Sequence, residues 1–135
     1  MKSKLPQRVA GLGGVFLRVR NPQKLSGWYR KHLGLDVDEQ WCGTAFKWRY
    51  AKQPKKVGST AWSLFAADAE YLGSSKQAVM LNYRVANLKN VLAALKHERV
   101  WVDPKGIEKS EYGHFAWIKD GEGNRIELWQ PPKGM

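Results

Sequence analysis

The stretch that decides the fold is residues 16–35, FLRVRNPQKLSGWYRKHLGL. It opens with an apolar run typical of a β-strand. Asn21 is then a favourable N-cap, and Pro22 suits the first helical position, where its missing N–H costs nothing. Apolar residues recur at helical spacing as far as Leu33, and Gly34 suits a left-handed C-terminal cap. The stretch therefore predicts a strand followed by a helix.

A second copy of this pattern lies 66 residues further along the chain. RVRN at 18–21 falls on RVAN at 84–87, and each phrase follows an apolar alternating run. Asn87 is again a favourable N-cap, and apolar residues share one face of the helix that follows as far as about Arg99. Because each helix carries a single apolar stripe, both are expected to lie against a sheet.

Extended segments after each helix complete the repeat. Residues 120–124, DGEGN, have the glycines and turn-forming polar residues of a hairpin. Residues 53–59 and 73–77 are polar and are predicted to be connections. The predicted strand segments are 36–40, 44–50 and 60–66 in the first half, and 100–102, 112–119 and 125–129 in the second. We therefore predict an α+β fold, one domain over 1–135 built of two β-α-β-β-β modules, 11–72 and 78–131.

Composition limits the classes of function. The chain has 135 residues, 43% of them hydrophobic, a formal net charge of +11 and one cysteine, Cys42. No run approaches the ~18 apolar residues of a membrane span. One cysteine cannot build an internal disulfide, so a cytoplasmic location is expected. The positive charge favours polyanions, but it is spread over several loops without a nucleic-acid-binding motif, so no specific nucleic-acid or membrane partner is predicted.

Two phrases at this spacing resemble the vicinal oxygen chelate superfamily of glyoxalases, bleomycin-resistance proteins and extradiol dioxygenases. They are the opening phrase at 16–35 and the closing phrase DGEGNRIELW at 120–129. The resemblance implies a curled mixed sheet that forms a cup, with the helices outside and the site on the concave face. It also implies a homodimer.

Strand alternation then predicts which side chains face the cup. If Leu17 and Leu128 face the helices, their neighbours along each strand face the other way. His114, on the strand before the hairpin, is the one histidine expected to look into the cup. The predicted ligand-binding residues are Phe16, Arg18, Ser63, Asn82, Arg84, His114, Arg125 and Trp129.

The resemblance places four metal-ligand positions at Gly14, Ser63, Met80 and Glu127. Only Glu127 retains a good ligand, because glycine has no side chain and methionine and serine bind hard divalent ions poorly. No cofactor or metal is therefore predicted, with a divalent metal as the less favoured alternative. Glu127 is interpreted either as a catalytic acid or base or as a buried carboxylate paired with an arginine.

These residues predict a protein that binds a small anionic or aromatic compound without the usual metal. It would act either by sequestering the compound or as an enzyme that uses no divalent ion. The alternative is a metal-dependent lyase or dioxygenase in which Glu127 is a ligand or base.

Trp28 and Tyr29, on the first helix, are predicted to be core residues.

Overall fold

The structure, a computed structural model, describes residues 8–135. Both helices begin where the sequence predicts. The Asn21 side chain accepts a hydrogen bond from the Lys24 N–H at 3.1 Å, and Gly34 ends the first helix in the left-handed conformation with φ 63°. The Asn87 side chain accepts from the Asn90 N–H at 3.0 Å. In the described part of the chain, no helix is long and apolar enough to cross a membrane.

One seven-stranded mixed sheet carries the two helices, and it confirms the predicted α+β fold. The strands lie in the order β2-β3-β1-β4-β7-β6-β5. At the centre β1 pairs antiparallel with β4, whereas β1–β3 and β4–β7 are parallel pairs. The two halves of one chain therefore lie side by side. The elements are β1 Val9–Val19, α1 Pro22–Leu33, β2 Gly43–Tyr50, β3 Gln53–Ala66, β4 Val79–Val85, α2 Leu88–His97, β5 Glu108–Ser110, β6 Gly113–Lys119 and β7 Arg125–Gln130.

Three strand predictions need correction. The segments 36–40 and 100–102 contribute only single bridges, Asp38 to Gly43 and Val102 to Ile118. Residues 53–59, predicted to be a connection, are the first half of β3 and pair with β2. Most of this part of β3 is exposed on both faces, so it lacks the apolar alternation by which a strand is recognised. The short strand β5 was not predicted for the same reason, since all three of its residues are exposed.

The convex face of the sheet packs on α2. Leu88 and Leu92 of the helix are buried against strand residues that include Val85 and Leu128. The first helix is packed less deeply than predicted. Trp28 is 49% exposed, so its assignment to the core is wrong, and Tyr29 is half-buried with its edge on the Trp62 ring.

Candidate functional site

A cavity of about 700 Å³ opens on the concave face of the sheet. Five aromatic side chains line its walls, and the Asn82 amide and the Glu127 carboxylate lie at its floor. Lys47 is the one charged side chain besides Glu127 among the described residues that line it. The aromatic wall consists of Phe16, Trp41, Tyr112, Phe115 and Trp129.

Glu127 lies at the floor with 1% of its surface exposed. Its Oε1 accepts a hydrogen bond from Asn82 Nδ2 at 2.6 Å, and its Oε2 accepts from Trp117 Nε1 at 2.9 Å and from the Tyr71 hydroxyl. Burial raises the pKa of the Glu127 carboxyl, and the three donors oppose that rise. Burial, together with the Glu127 charge, also raises the pKa of the Tyr71 hydroxyl.

The sheet register explains two of these donors. Asn82 on β4 and Trp117 on β6 both pair with Glu127 of β7, so all three side chains project to the same face. Tyr71 comes from the connection after β3, where its ring stacks on Phe65 at 5.3 Å. Among the described residues no arginine bonds to the carboxylate, so the expected ion pair between Glu127 and an arginine is wrong.

A bulge in β1 brings the backbone against this floor. Leu12 pairs with Tyr83 and Gly14 with Asn82, which leaves Gly13 as the extra residue. A Cβ atom at Gly13 would lie 2.1 Å from the Asn82 Oδ1 atom. That oxygen is buried and has no hydrogen-bond donor among the described residues. Glycine at position 13 therefore lets the β1 backbone lie against the Asn82 side chain, whereas a side chain at this position would push Asn82 away.

Arg84 lies beside one end of the cavity with 4% of its surface exposed. Its guanidinium carbon lies 5.3 Å from the ring centre of Trp48 and 5.1 Å from that of Trp129, within the range of cation–π attraction. Its Nη1 donates to the main-chain oxygens of Ser59 at 3.0 Å and Met135 at 3.1 Å. Because Ser59 and Met135 both line the cavity, Arg84 lies directly behind its wall.

The other two predicted arginines do not line the cavity. Arg18 donates to five main-chain oxygens in the connection between β3 and β4, with distances from 2.6 to 3.4 Å. Arg125 donates to the Asp103 carboxylate at 3.2 Å and to the Tyr71 main-chain oxygen at 3.3 Å. The three arginines that strand alternation predicted to lie together in the cup therefore bind three different sets of partners.

Ser63 and His114 also lie away from the cavity surface. Ser63 is buried, and its hydroxyl donates to the Trp41 main-chain oxygen at 3.3 Å. On β6, Phe115 lines the cavity and Trp117 bonds to Glu127, so the alternating His114 points to the opposite face. The prediction that His114 looks into the cup is therefore wrong. Of the predicted ligand-binding residues, Phe16, Asn82 and Trp129 line the cavity, with Arg84 behind them.

Solved structures of the same fold include methylmalonyl-CoA epimerase from Mycobacterium tuberculosis, with 19% identity over 98% of this chain and 93% of that one, at a TM-score of 0.63. A methylmalonyl-CoA epimerase in complex with methylmalonyl-CoA and NH4+ has 13% identity over 93% and 97%, at 0.67. The 2,3-dioxygenase LapB from Pseudomonas sp. KL28 has 21% identity over 92% of this chain and 41% of its own, at 0.56. The chain has the vicinal oxygen chelate fold. No family profile and no curated protein matches its sequence.

The metal that this fold implies does not fit the residues present at its four positions. Met80 is wholly buried against Phe16, and the Ser63 hydroxyl is already bonded to main chain. Gly14 offers no side chain, and Glu127 is held by three donors. Within residues 8–135, no group of three His, Cys, Asp or Glu side chains is placed to hold an ion. The second interpretation, a metal-dependent lyase or dioxygenase, therefore has no donor set in this part of the chain to support it.

Several site residues were missed at the sequence level. Trp117 and Phe115 could have been found from strand alternation. Trp117 is the partner of Glu127 in the sheet, and Phe115, two residues earlier on β6, points to the same face. Tyr71 carries no such signal, since it lies in an irregular connection whose path depends on tertiary contacts. The same holds for Gly134 and Met135, which reach the cavity beyond the last strand.

Proposed function

We propose that this chain binds a flat, largely apolar small molecule in the cup and needs no divalent ion to do so. The cavity volume of about 700 Å³ falls within the ~300–1,000 Å³ usual for small-molecule sites. Aromatic walls offer a planar compound a large contact area at a small cost in side-chain entropy. A solved structure of the same fold is a complex with methylmalonyl-CoA, which supports the proposal that this fold can bind a small molecule.

The observation that carries the proposal is the environment of Glu127. A buried carboxylate must be compensated either by a cation or by hydrogen-bond donors, because its desolvation is costly. Here the compensation comes from three neutral donors, on Tyr71, Asn82 and Trp117. The floor of the cavity is therefore organised without an ion, and what remains above it is an apolar chamber.

Calorimetric titration with 2-naphthol, a flat and neutral probe, tests this proposal. Protein dialysed against a chelator is expected to bind the probe as tightly as untreated protein. Ala45 lines the cavity, whereas Ala51 lies in the turn between β2 and β3 away from it. Ala45→Trp is expected to abolish binding by filling the cavity, and Ala51→Trp is the matched control with wild-type affinity.

Two results would contradict the proposal. One is binding that disappears after chelation and returns with added zinc or manganese. The other is equal affinity in the Ala45→Trp and Ala51→Trp variants, which would place the probe outside the cavity.

We also propose that the chain forms a homodimer. Among residues 8–135 the sheet ends at β2 and β5, so its outer edges present backbone groups that no described strand pairs. Phe46 on the β2 edge is 47% exposed, which adds an apolar contact to that edge. Sedimentation velocity at micromolar concentration measures the assembly, and a mass of 15.4 kDa at all concentrations would refute the dimer.

A further inference from the structure

The buried charge of Arg84 has no aspartate or glutamate partner among residues 8–135. The four ion pairs among residues 8–135 do not include it. Its Nη1 is bonded to two main-chain oxygens, and its Nε has no acceptor in the described part of the chain. The rings of Trp48 and Trp129 attract the cation but offer no acceptor to its Nε N–H. A buried guanidinium in this state is a ready partner for an anion.

Met135 occupies the position that such an anion would take. The Met135 oxygen accepts from Arg84 Nη1 and from the Ser59 hydroxyl, each at 3.1 Å. In the 135-residue chain this oxygen is part of the Met135 α-carboxylate, so the group on Arg84 is itself an anion. Gly134 and Met135 both line the cavity. Gly134 has φ 89°, a conformation that other residues rarely adopt, so this placement of the tail depends on glycine. Met135 remains 37% exposed, which indicates that its side chain buries little surface against the cavity.

We propose that Arg84 is an anion subsite at one end of the cavity and that the tail, residues 131–135, occupies it until a ligand displaces it. The ligand class is an aromatic carboxylate, whose ring lies in the cavity and whose carboxylate replaces the Met135 oxygen on Arg84. Both the ligand and the tail place an oxygen on Arg84, but the ligand also places a ring against the aromatic wall, whereas the tail adds only one partly exposed methionine side chain. Lys47 at the cavity surface adds to the attraction for an anion. This inference rests on the proposed function, because it assumes that the cavity binds small molecules.

A matched pair of probes separates the subsite from the cavity. 2-Naphthoate and 2-naphthol share one ring system and differ in the carboxylate. In calorimetric titrations at neutral pH, wild-type protein is expected to bind naphthoate more tightly than naphthol. Arg84→Met is expected to weaken naphthoate binding by ~10-fold or more, because hydrogen bonds to charged groups are the strong ones. The same variant is expected to weaken naphthol binding much less, so the ratio of the two affinities is the quantity that tests the subsite.

A second pair of variants tests the tail. Gly134 and Gly123 have nearly equal φ angles, 89° and 86°, and a Cβ atom added at either would meet no heavy atom of the described chain within 4 Å. Alanine strains the backbone equally at both, but only Gly134 lies in the tail. Gly134→Ala is expected to raise the affinity for naphthoate about three-fold or more, by weakening the docked tail, and Gly123→Ala is expected to leave it unchanged.

The outcomes distinguish the subsite, the tail and the cavity. Naphthol binding without a preference for naphthoate, or an Arg84→Met variant with undiminished naphthoate affinity, overturns the anion subsite and leaves the proposed function standing. Equal effects of Gly134→Ala and Gly123→Ala overturn the role of the tail. Failure of both probes to bind overturns the proposed function and this inference with it. If circular dichroism shows that Arg84→Met does not fold, two measurements still test the proposal. They are the preference of the wild-type protein for naphthoate over naphthol and the comparison of Gly134→Ala with Gly123→Ala.

Discussion

Replacing Glu127 with glutamine is expected to change how the stability of this protein depends on pH. Burial raises the pKa of the Glu127 carboxyl above its ordinary value near 4.5, so the folded state holds this proton more tightly than the unfolded state does. Stability from this group is therefore fully present below pH 4.5 and is lost as the pH rises through the folded-state pKa. Glutamine carries no such proton and removes that dependence.

The geometry indicates that glutamine can be accommodated. Its carbonyl can take the place of Oε2 and accept from Tyr71 and Trp117, while its amide NH₂ faces Asn82. A rotation of the Asn82 amide then brings its unpartnered Oδ1 towards that NH₂. The wild-type protein is expected to lose up to about 1.4 kcal/mol per pH unit between the two pKa values, a loss that Glu127→Gln does not share. The variant therefore gains stability relative to wild type as the pH rises.

Urea unfolding at pH 5, 6, 7 and 8 measures the effect. The quantity of interest is the free energy of unfolding of Glu127→Gln minus that of wild type at each pH. Glu111→Gln is the control, because Glu111 is an exposed glutamate outside the site. A difference that stays constant from pH 5 to pH 8, or that changes as much for Glu111→Gln, would refute the reasoning that burial governs this carboxyl.

Two further substitutions test the packing around the site. Gly13→Ala places a Cβ atom 2.1 Å from Asn82 Oδ1 and is expected to destabilise the fold by about 2–4 kcal/mol in urea unfolding. Gly121→Ala, where no atom of the described chain lies within 4 Å, is expected to change it by less than about 0.5 kcal/mol, and equal effects would contradict the steric argument. Arg18→Met removes the five hydrogen bonds to the connection between β3 and β4 and is expected to lower the free energy of unfolding by about 2–4 kcal/mol. Hydrogen exchange should then accelerate at 67–77, and unchanged protection there would show that Arg18 does not order the segment.

The fold was predictable because its signals are local. Asn21, Pro22 and Gly34 mark the ends of α1 through backbone geometry that three or four residues determine. The repeated phrase ending at Asn87 then indicates that the second half has the same architecture. Strand boundaries were less predictable, because the exposed first half of β3 has no buried face and therefore no alternation to detect.

The site was predictable only to the extent that strand parity determines it. Parity placed Asn82 and Glu127 on one face correctly, since a side chain on a strand has only two directions to choose from. It could not determine the partners of a long side chain. Arg18 on β1 and Arg125 on β7 instead donate to loop oxygens and to Asp103. The two arginines illustrate that facing the cup and lining the cavity are separate properties.

The loss of the metal positions and the aromatic character of the cavity are parts of one arrangement. A Cβ atom at Gly14 would lie 2.9 Å from the Phe16 ring, so that ring fills the space that a ligand side chain at position 14 would need. The same ring packs on Met80, at the pseudo-symmetric position, and lines the cavity. Glu127 takes its compensation from the donors on Tyr71, Asn82 and Trp117. A single histidine placed at position 14 would therefore not restore a metal site, because Phe16 and the donors on Glu127 would both have to move.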